Sequence, residues 1–208
     1  MPRRLYVSSV RAAAANEKRN RVLRAAADLL RERSSTISFS LDAVAKAAGV
    51  TRLTVYNQFG SRRGLLEAVF DQIAREGGLE RIDQALALAS PRAAFDRIVE
   101  IFCDFWSQDP AVGRLHEAMS VDAEFAQALI ERNERRREII RSLVGRVAEG
   151  KLTPRARKDA TDLIFALTSY AMFAMLRPHR SADAVCELLK STCNDALDGL
   201  KTNVQATN

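Results

Sequence analysis

Three features of the 208-residue chain predict an all-α fold. Apolar residues recur at helical spacing in one segment after another. Small polar residues stand where these segments begin, three of them followed by proline. The β-branched residues are scattered, with no alternating run that reads as a strand. The expected architecture is a small head carrying a helix-turn-helix and a larger C-terminal helical bundle.

The elements follow in order. Residues 1–16 read as a basic tail. Glu17 to Arg33 carries Val22, Ala26, Leu29 and Leu30 on one stripe and ends in the polar cluster Ser34–Ser38. Ser40 is placed to cap Leu41–Ala47, because its hydroxyl can accept from an otherwise unpaired backbone N–H. Gly49 suits a sharp turn that needs positive φ. Thr51 opens Arg52–Phe59, and Ser61 opens a helix to about Glu76. Gly77-Gly78 marks the boundary between a head, 17–77, and a body, 78–208. In the body, Ser90-Pro91, Asp109-Pro110 and Thr153-Pro154 start helices near 91–107, 110–118 and 153–177. Proline fits there because the N–H it lacks has no helical partner anyway. Asp122 begins a long helix to about Glu149, and Ser181 caps one to about Gly199.

Composition narrows the classes. Gly and Pro together number 14, too few for a linker or a collagen-like chain. Three cysteines make no disulfide framework and fit a reducing cytoplasm. The longest charge-free apolar stretch, Leu163–Leu176, is fourteen residues, short of the roughly 20 a membrane span needs. No membrane partner is expected. The net charge of +6 conceals an asymmetry: residues 1–63 hold thirteen Lys and Arg against four acids, +9, leaving −3 for 64–208.

The basic part coincides with the segments 40–47 and 51–59, two short helices joined by a glycine turn, the spacing of a helix-turn-helix. Ala43, Val44 and Ala47 supply small contacts for close packing, and Val50 and Val55 can pin the turn and the second helix. Arg52, Thr54, Asn57 and Gln58 are left to face outward. Arg can address guanine bidentately, and Asn or Gln adenine. Thr51, Thr54 and Tyr56 suit phosphate oxygens. Ser61 at a helix start, flanked by Arg62 and Arg63, makes a second phosphate clamp. The expected partner is double-stranded DNA. Arg3, Arg4 and Arg11 fit either a minor-groove arm or a weakly attracted tail.

The run Leu41-Asp42-Ala43-Val44-Ala45-Lys46-Ala47-Ala48-Gly49-Val50-Thr51-Arg52-Leu53-Thr54-Val55-Tyr56-Asn57-Gln58-Phe59-Gly60-Ser61-Arg62-Arg63-Gly64-Leu65-Leu66 closely resembles the TetR family of bacterial transcriptional regulators, with the helix at 17–33 in front of it. The resemblance covers roughly 17–77. It implies a homodimer on a near-palindromic operator, a three-helix DNA-binding head and a C-terminal domain for a small-molecule effector and dimerisation. Tyr56 falls at the family's phosphate-contacting tyrosine and Arg62 at its basic residue opening the fourth helix. Leu53 stands where a small residue is usual, and Gln58 where His or Tyr is common. Leu53 is left either to touch a thymine methyl or to pack.

In the body, no His/Cys/Asp/Glu spacing matches a metal site, and no cofactor is expected. Cys186 and Cys193 lie too far apart on one helix for a bridge, and Cys103 reads as inert core. Phe95, Phe102, Phe105 and Trp106 share one helix, Phe125 starts the next, and Phe165, Thr168, Ser169, Tyr170, Met172 and Phe173 crowd another. Each reads as plain core. With the resemblance, Phe95, Phe102, Trp106, Phe125, Phe165, Thr168, Ser169, Met172 and Phe173 form a candidate pocket for a largely apolar effector. Val185, Leu188, Leu189, Ala196, Leu197 and Leu200 form an apolar face that reads as a dimer surface or as the chain's own core. The run 131–138 reads as a solvated charged face. The expectation is a repressor released from its operator by its effector, with an effector-free architectural DNA-binding protein and a helical enzyme as the alternatives.

Overall fold

The computed structural model describes residues 3–32, 39–118, 123–149 and 152–205, and the fold is all-α, with eleven helices among them. They are α1 (Arg3–Arg31), α2 (Leu41–Ala48), α3 (Arg52–Phe59), α4 (Arg62–Glu76), α5 (Arg81–Leu86), α6 (Pro91–Gln108), α7 (Pro110–Ala118), α8 (Ala123–Ala148), α9 (Pro154–Leu167), α10 (Tyr170–Leu176) and α11 (Ala182–Gln205). No single helix among the described residues is long and apolar enough to cross a membrane.

The chain divides into two compact units. The first is residues 1–73 with 110–127, and the second 74–109 with 128–208. The sequence reading put all of 78–208 in one body. The segment 110–127 instead belongs to the first unit, because α7 buries Ala111, Val112, Leu115 and Ala118 and packs on α1. The tail is also corrected: α1 starts at Arg3, consistent with the strong helix propensity of the run Ala12–Ala15. Its buried stripe is Val22, Leu23, Ala26, Ala27 and Leu30.

Within the first unit α2 packs on α1 and α3 on α2. The caps form as the sequence dictates. Ser40 Oγ accepts from the Ala43 N–H at 3.1 Å, and Gly49 ends α2 at φ 63, ψ 39, followed by the Val50 N–H to Ala45 carbonyl bond of a helix C-terminus. The face of α2 that packs is Val44, Ala45 and Ala48, whereas Ala47 is exposed: the helix is turned by about one residue from the expected register. Val55 of α3 is completely buried.

In the second unit α6 is central, with α5, α10 and α11 packed on it. It buries nine side chains from Ala94 to Trp106. Val185, Leu189, Cys193 and Leu197 of α11, four residues apart, form a buried stripe on the helix that packs against α6 and α9. Polar pairs run beside it: Lys190 Nζ meets Glu100 at 2.9 Å, and Asn194 bridges Arg92 and Asp96. α5, absent from the sequence reading, is held by Arg81 on Asp104 and by Arg146, which donates to the carbonyls of Leu86 and Leu88.

The helix expected over 153–177 is broken into α9 and α10, bent by 53°. Ser169 caps α10 by accepting from the Met172 N–H at 3.2 Å. The break frees carbonyls that a straight helix would consume. Trp106 Nε1 donates to the Thr168 carbonyl at 3.1 Å, and Arg136 donates to that of Phe165 at 3.0 Å.

Candidate nucleic-acid interface

α3 is an eight-residue helix whose ends are fixed by short-range chemistry. Thr51 Oγ1 accepts from the Thr54 N–H at 3.1 Å and shares a 2.9 Å hydrogen bond with the Thr54 hydroxyl. Gly60, at φ 73, ends the helix, and its N–H bonds the Tyr56 carbonyl at 2.7 Å. At the C-terminal end the Arg19 guanidinium lies 4.5 Å over the Phe59 ring and donates to the Gln58 carbonyl, tying α3 to α1. Cations near the last carbonyls of a helix are favourable for the same reason.

With Val55 inward, α3 turns Arg52, Leu53, Tyr56 and Asn57 to solvent. Leu53 is 65% and Tyr56 55% exposed. These positions lie one turn apart and form a single outward face with Thr51 and Thr54 at its start. Arg52 stands 3.7 Å from Asp42 with both side chains about two-thirds exposed, a weak pairing that leaves the guanidinium accessible. A large apolar side chain held in solvent next to an arginine and a tyrosine is costly unless something covers it.

Three of the residues expected at this surface are oriented differently. Gln58 is half-buried, and its Oε1 is enclosed with no hydrogen-bond partner among the described residues. Bidentate recognition of adenine needs both amide atoms turned outward, so Gln58 does not present that edge here. Arg62 donates from Nε to the Phe39 carbonyl at 3.0 Å and lies over the Phe39 ring, which ties the start of α4 to the residue before the α2 cap. Arg63 pairs with Glu67 at 2.7 Å along α4. Ser61 caps α4, accepting from the Gly64 N–H at 3.0 Å. Gly64 itself is required: a Cβ there would sit 2.1 Å from the Phe59 carbonyl oxygen, so the closeness of α3 and α4 depends on it. The side chains of Arg3, Arg4 and Arg11 lie outside the described residues.

The second unit departs from the expected pocket. Phe95, Phe102, Trp106, Thr168 and Phe173 are buried, and Ser169 and Met172 half-buried. Trp106 packs against Phe105 at 4.9 Å, Phe102 at 6.4 Å and Tyr170 at 5.8 Å between ring centroids. These rings contact one another, as aromatic cores do. Phe125 belongs to the first unit. A groove of about 1030 Å³ lies instead along α8 and α9, and Phe165 is the one expected pocket residue that lines it. The dimer face is corrected too. Val185, Leu189 and Leu197 point into the chain's own core, Ala196 is half-buried and Leu188 is 40% exposed. The Leu200 side chain lies outside the described residues.

One further pairing had no sequence signal. Cys103 of α6 and Cys186 of α11, 83 positions apart, are neighbours. That contact, with Lys190 nearby, holds the Cys186 thiol below its ordinary value, while the same contact and burial push Cys103 up.

Comparison with known proteins agrees with this geometry. Residues 22–69 match the model of bacterial regulatory proteins of the tetR family, and 89–199 that of the tetracyclin repressor-like C-terminal domain. The chain is 29% identical over 114 residues to the HTH-type transcriptional regulator EthR of Mycolicibacterium smegmatis, a match covering 53% of this chain and 52% of that protein. It thus spans about half the length of the curated relative. The fold is that of NalD, the secondary repressor of the MexAB-OprM multidrug efflux pump in Pseudomonas aeruginosa (22% identity, TM-score 0.67, 88% of this chain and 97% of that one). It is also that of a TetR transcription regulator from Haloarcula marismortui (15%, 0.66, 89% and 98%). With family models matching both its helix-turn-helix and more than half of its length, the chain belongs to the TetR family of bacterial transcriptional regulators.

Proposed function

We propose that this regulator is a homodimeric repressor that binds a near-palindromic operator through α3 and leaves it when a small molecule binds the second unit. The observation that carries the reading is the outward face of α3. Arg52, Leu53, Tyr56 and Asn57 are displayed together on a helix rigidly capped at both ends and braced from behind by Val55 and Arg19. Arg52 and Asn57 supply base-edge hydrogen bonds, Leu53 an apolar contact of the kind a thymine methyl accepts, and Tyr56 with Thr51 and Thr54 phosphate contacts. Ser61 and Arg63 contribute beside them; Arg62 acts by positioning α4 through Phe39. The head takes in 17–77 and the effector site lies in the second unit.

A single short recognition helix makes few contacts, so two copies on two half-sites supply the affinity. The face left for dimerisation is the exposed side of α9 and α11, where Leu163 and Leu188 stand in solvent at 46% and 40% exposure. The effector acts only through a difference in its affinity for the DNA-bound and free states.

A band-shift assay on DNA flanking the gene tests the reading. The wild type forms a specific complex, and Tyr56→Ala or Arg52→Ala weakens it at least tenfold. No specific complex, or one indifferent to both substitutions, refutes it.

A further inference from the structure

Polar rungs tie α6 to α11 and fix their register. Arg92 donates to Asp198 and Asn194, Asn194 donates to Asp96 at 2.8 Å, and Lys190 donates to Glu100 at 2.9 Å. Advancing along α6 through 92, 96 and 100 therefore means retreating along α11 through 198, 194 and 190. The helices run antiparallel, turn set against turn. One further turn along each brings Cys103 opposite Cys186, and the two thiols are neighbours.

The two differ in access and in charge state. Cys103 is buried, as is the third cysteine, Cys193, whereas Cys186 is half-buried, so Cys186 is the thiol that solvent reaches. Lys190 lies one turn from it and is held there by Glu100 and Glu187, each at 2.9 Å. The contact with Cys103 and the Lys190 charge favour the Cys186 thiolate, against burial and the two glutamates. The same contact and burial keep Cys103 protonated. The thiolate is the nucleophile in thiol oxidation.

We propose that Cys103 and Cys186 are a modification site, a dithiol that a small peroxide converts to a disulfide between α6 and α11. The Cys186 sulfur attacks the peroxide. An S–O bond forms as the O–O bond breaks, leaving Cys186 as a sulfenic acid and releasing hydroxide. Cys103 then attacks the sulfenic sulfur, the S–O bond breaks, and the departing oxygen leaves as water. The two thiols lose two electrons, and hydrogen peroxide is reduced to two waters. The order is built in, because an uncharged sulfenic acid removes the adjacent negative charge that keeps Cys103 protonated. The inference goes beyond the repressor reading and does not depend on it.

The test treats the reduced full chain with a small excess of hydrogen peroxide, stops the reaction with catalase, and counts thiols after unfolding. The count falls from three to one per chain, the chain stays monomeric on a non-reducing gel, and dithiothreitol restores all three. Trypsin cuts at Lys190, between Cys186 and Cys193, so mass spectrometry of the unreduced digest shows the Cys103 and Cys186 peptides joined and Cys193 free. In Cys103→Ala, dimedone traps the sulfenic acid on Cys186; Cys103→Ser serves if the alanine variant does not fold. In Cys186→Ala, Cys103 stays a thiol under the same treatment. The wild-type mapping needs no variant. Three surviving thiols, a bridge to Cys193 or between chains, or Cys186 oxidised to sulfinic acid with Cys103 left free each overturn the proposal.

Discussion

Substituting Gly64 by alanine sets two physical effects against each other. Gly64 lies in the first turn of α4 with ordinary helical backbone, and alanine in a helix is favoured over glycine by about 1 kcal/mol. The structure predicts the opposite sign. The new Cβ would stand 2.1 Å from the Phe59 carbonyl oxygen and 3.3 Å from its carbon, closer than real contacts of this kind allow. The obstructing atom is backbone, so relief requires the end of α3 to move away from α4 by about 1 Å. Overpacking of that kind costs about 1–3 kcal/mol, and backbone obstruction places it at the upper end. The net expectation is a loss of about 2 kcal/mol, or roughly 4–8 °C in Tm for a chain of this size. Gly145→Ala is the control. Its Cβ would meet only the tip of the Arg157 side chain, at 2.4 Å, which can swing aside. That variant should be neutral or gain up to about 1 kcal/mol. Urea and thermal unfolding at one fixed protein concentration read both. A Gly64→Ala protein as stable as the wild type would refute the close approach of α3 and α4.

Further consequences concern the second unit. Iodoacetamide followed by mass spectrometry should label Cys186 first. Its thiol is lowered by its contact with Cys103 and by Lys190, whereas burial pushes Cys193 up to about 12; equal labelling of Cys193 in the native chain would contradict the packing of α11 on α6. Lys190→Met should cost about 0.2–1 kcal/mol near neutrality, the range for solvent-screened pairs. The Lys190 hydrogen bond holds the Glu100 carboxyl below its ordinary 4.5. The stabilisation is therefore complete above 4.5 and fades as pH falls through the lower folded value, so the stability gap between Lys190→Met and wild type should close in acid. Trp106→Phe should cost about 1–3 kcal/mol in urea unfolding, because it strands the buried Thr168 carbonyl that Nε1 reaches at 3.1 Å.

Much of the fold was legible because it is set locally. Ser40, Thr51, Ser90, Thr153 and Ser181 each accept the backbone N–H three residues on. The charge asymmetry and the motif at 41–66 pointed to α3 as the surface of interest. What escaped is set by distant parts of the chain. The break at Thr168-Ser169 lies inside an apolar run whose periodicity carries no mark of it, and it is held by Trp106 and Arg136 from two other helices. The apolar stripe 185–197 was legible as a stripe, but sequence cannot say whether its partner is α6 of the same chain or a second copy. Gln58 and Arg62 were assigned by residue type. Only the packing of Arg62 on Phe39, and of the Gln58 amide oxygen into the unit, shows where they point.

The central claim, that DNA is held by α3 and by the charge of the first unit, is tested most directly by the salt dependence of operator affinity. For the wild type, log affinity should fall linearly with log salt. Each lost phosphate contact lowers the slope by roughly one, so an arginine contact removed from both subunits of a dimer lowers it by roughly two. Individual Lys or Arg→Ala substitutions at Lys18, Arg21, Arg52 and Arg63 in the basic unit should include at least one that reduces the slope in this way. Arg135→Ala, an exposed position on α8 in the second unit, should leave it unchanged. A slope that drops for Arg135→Ala and holds for every substitution in the first unit would contradict the account.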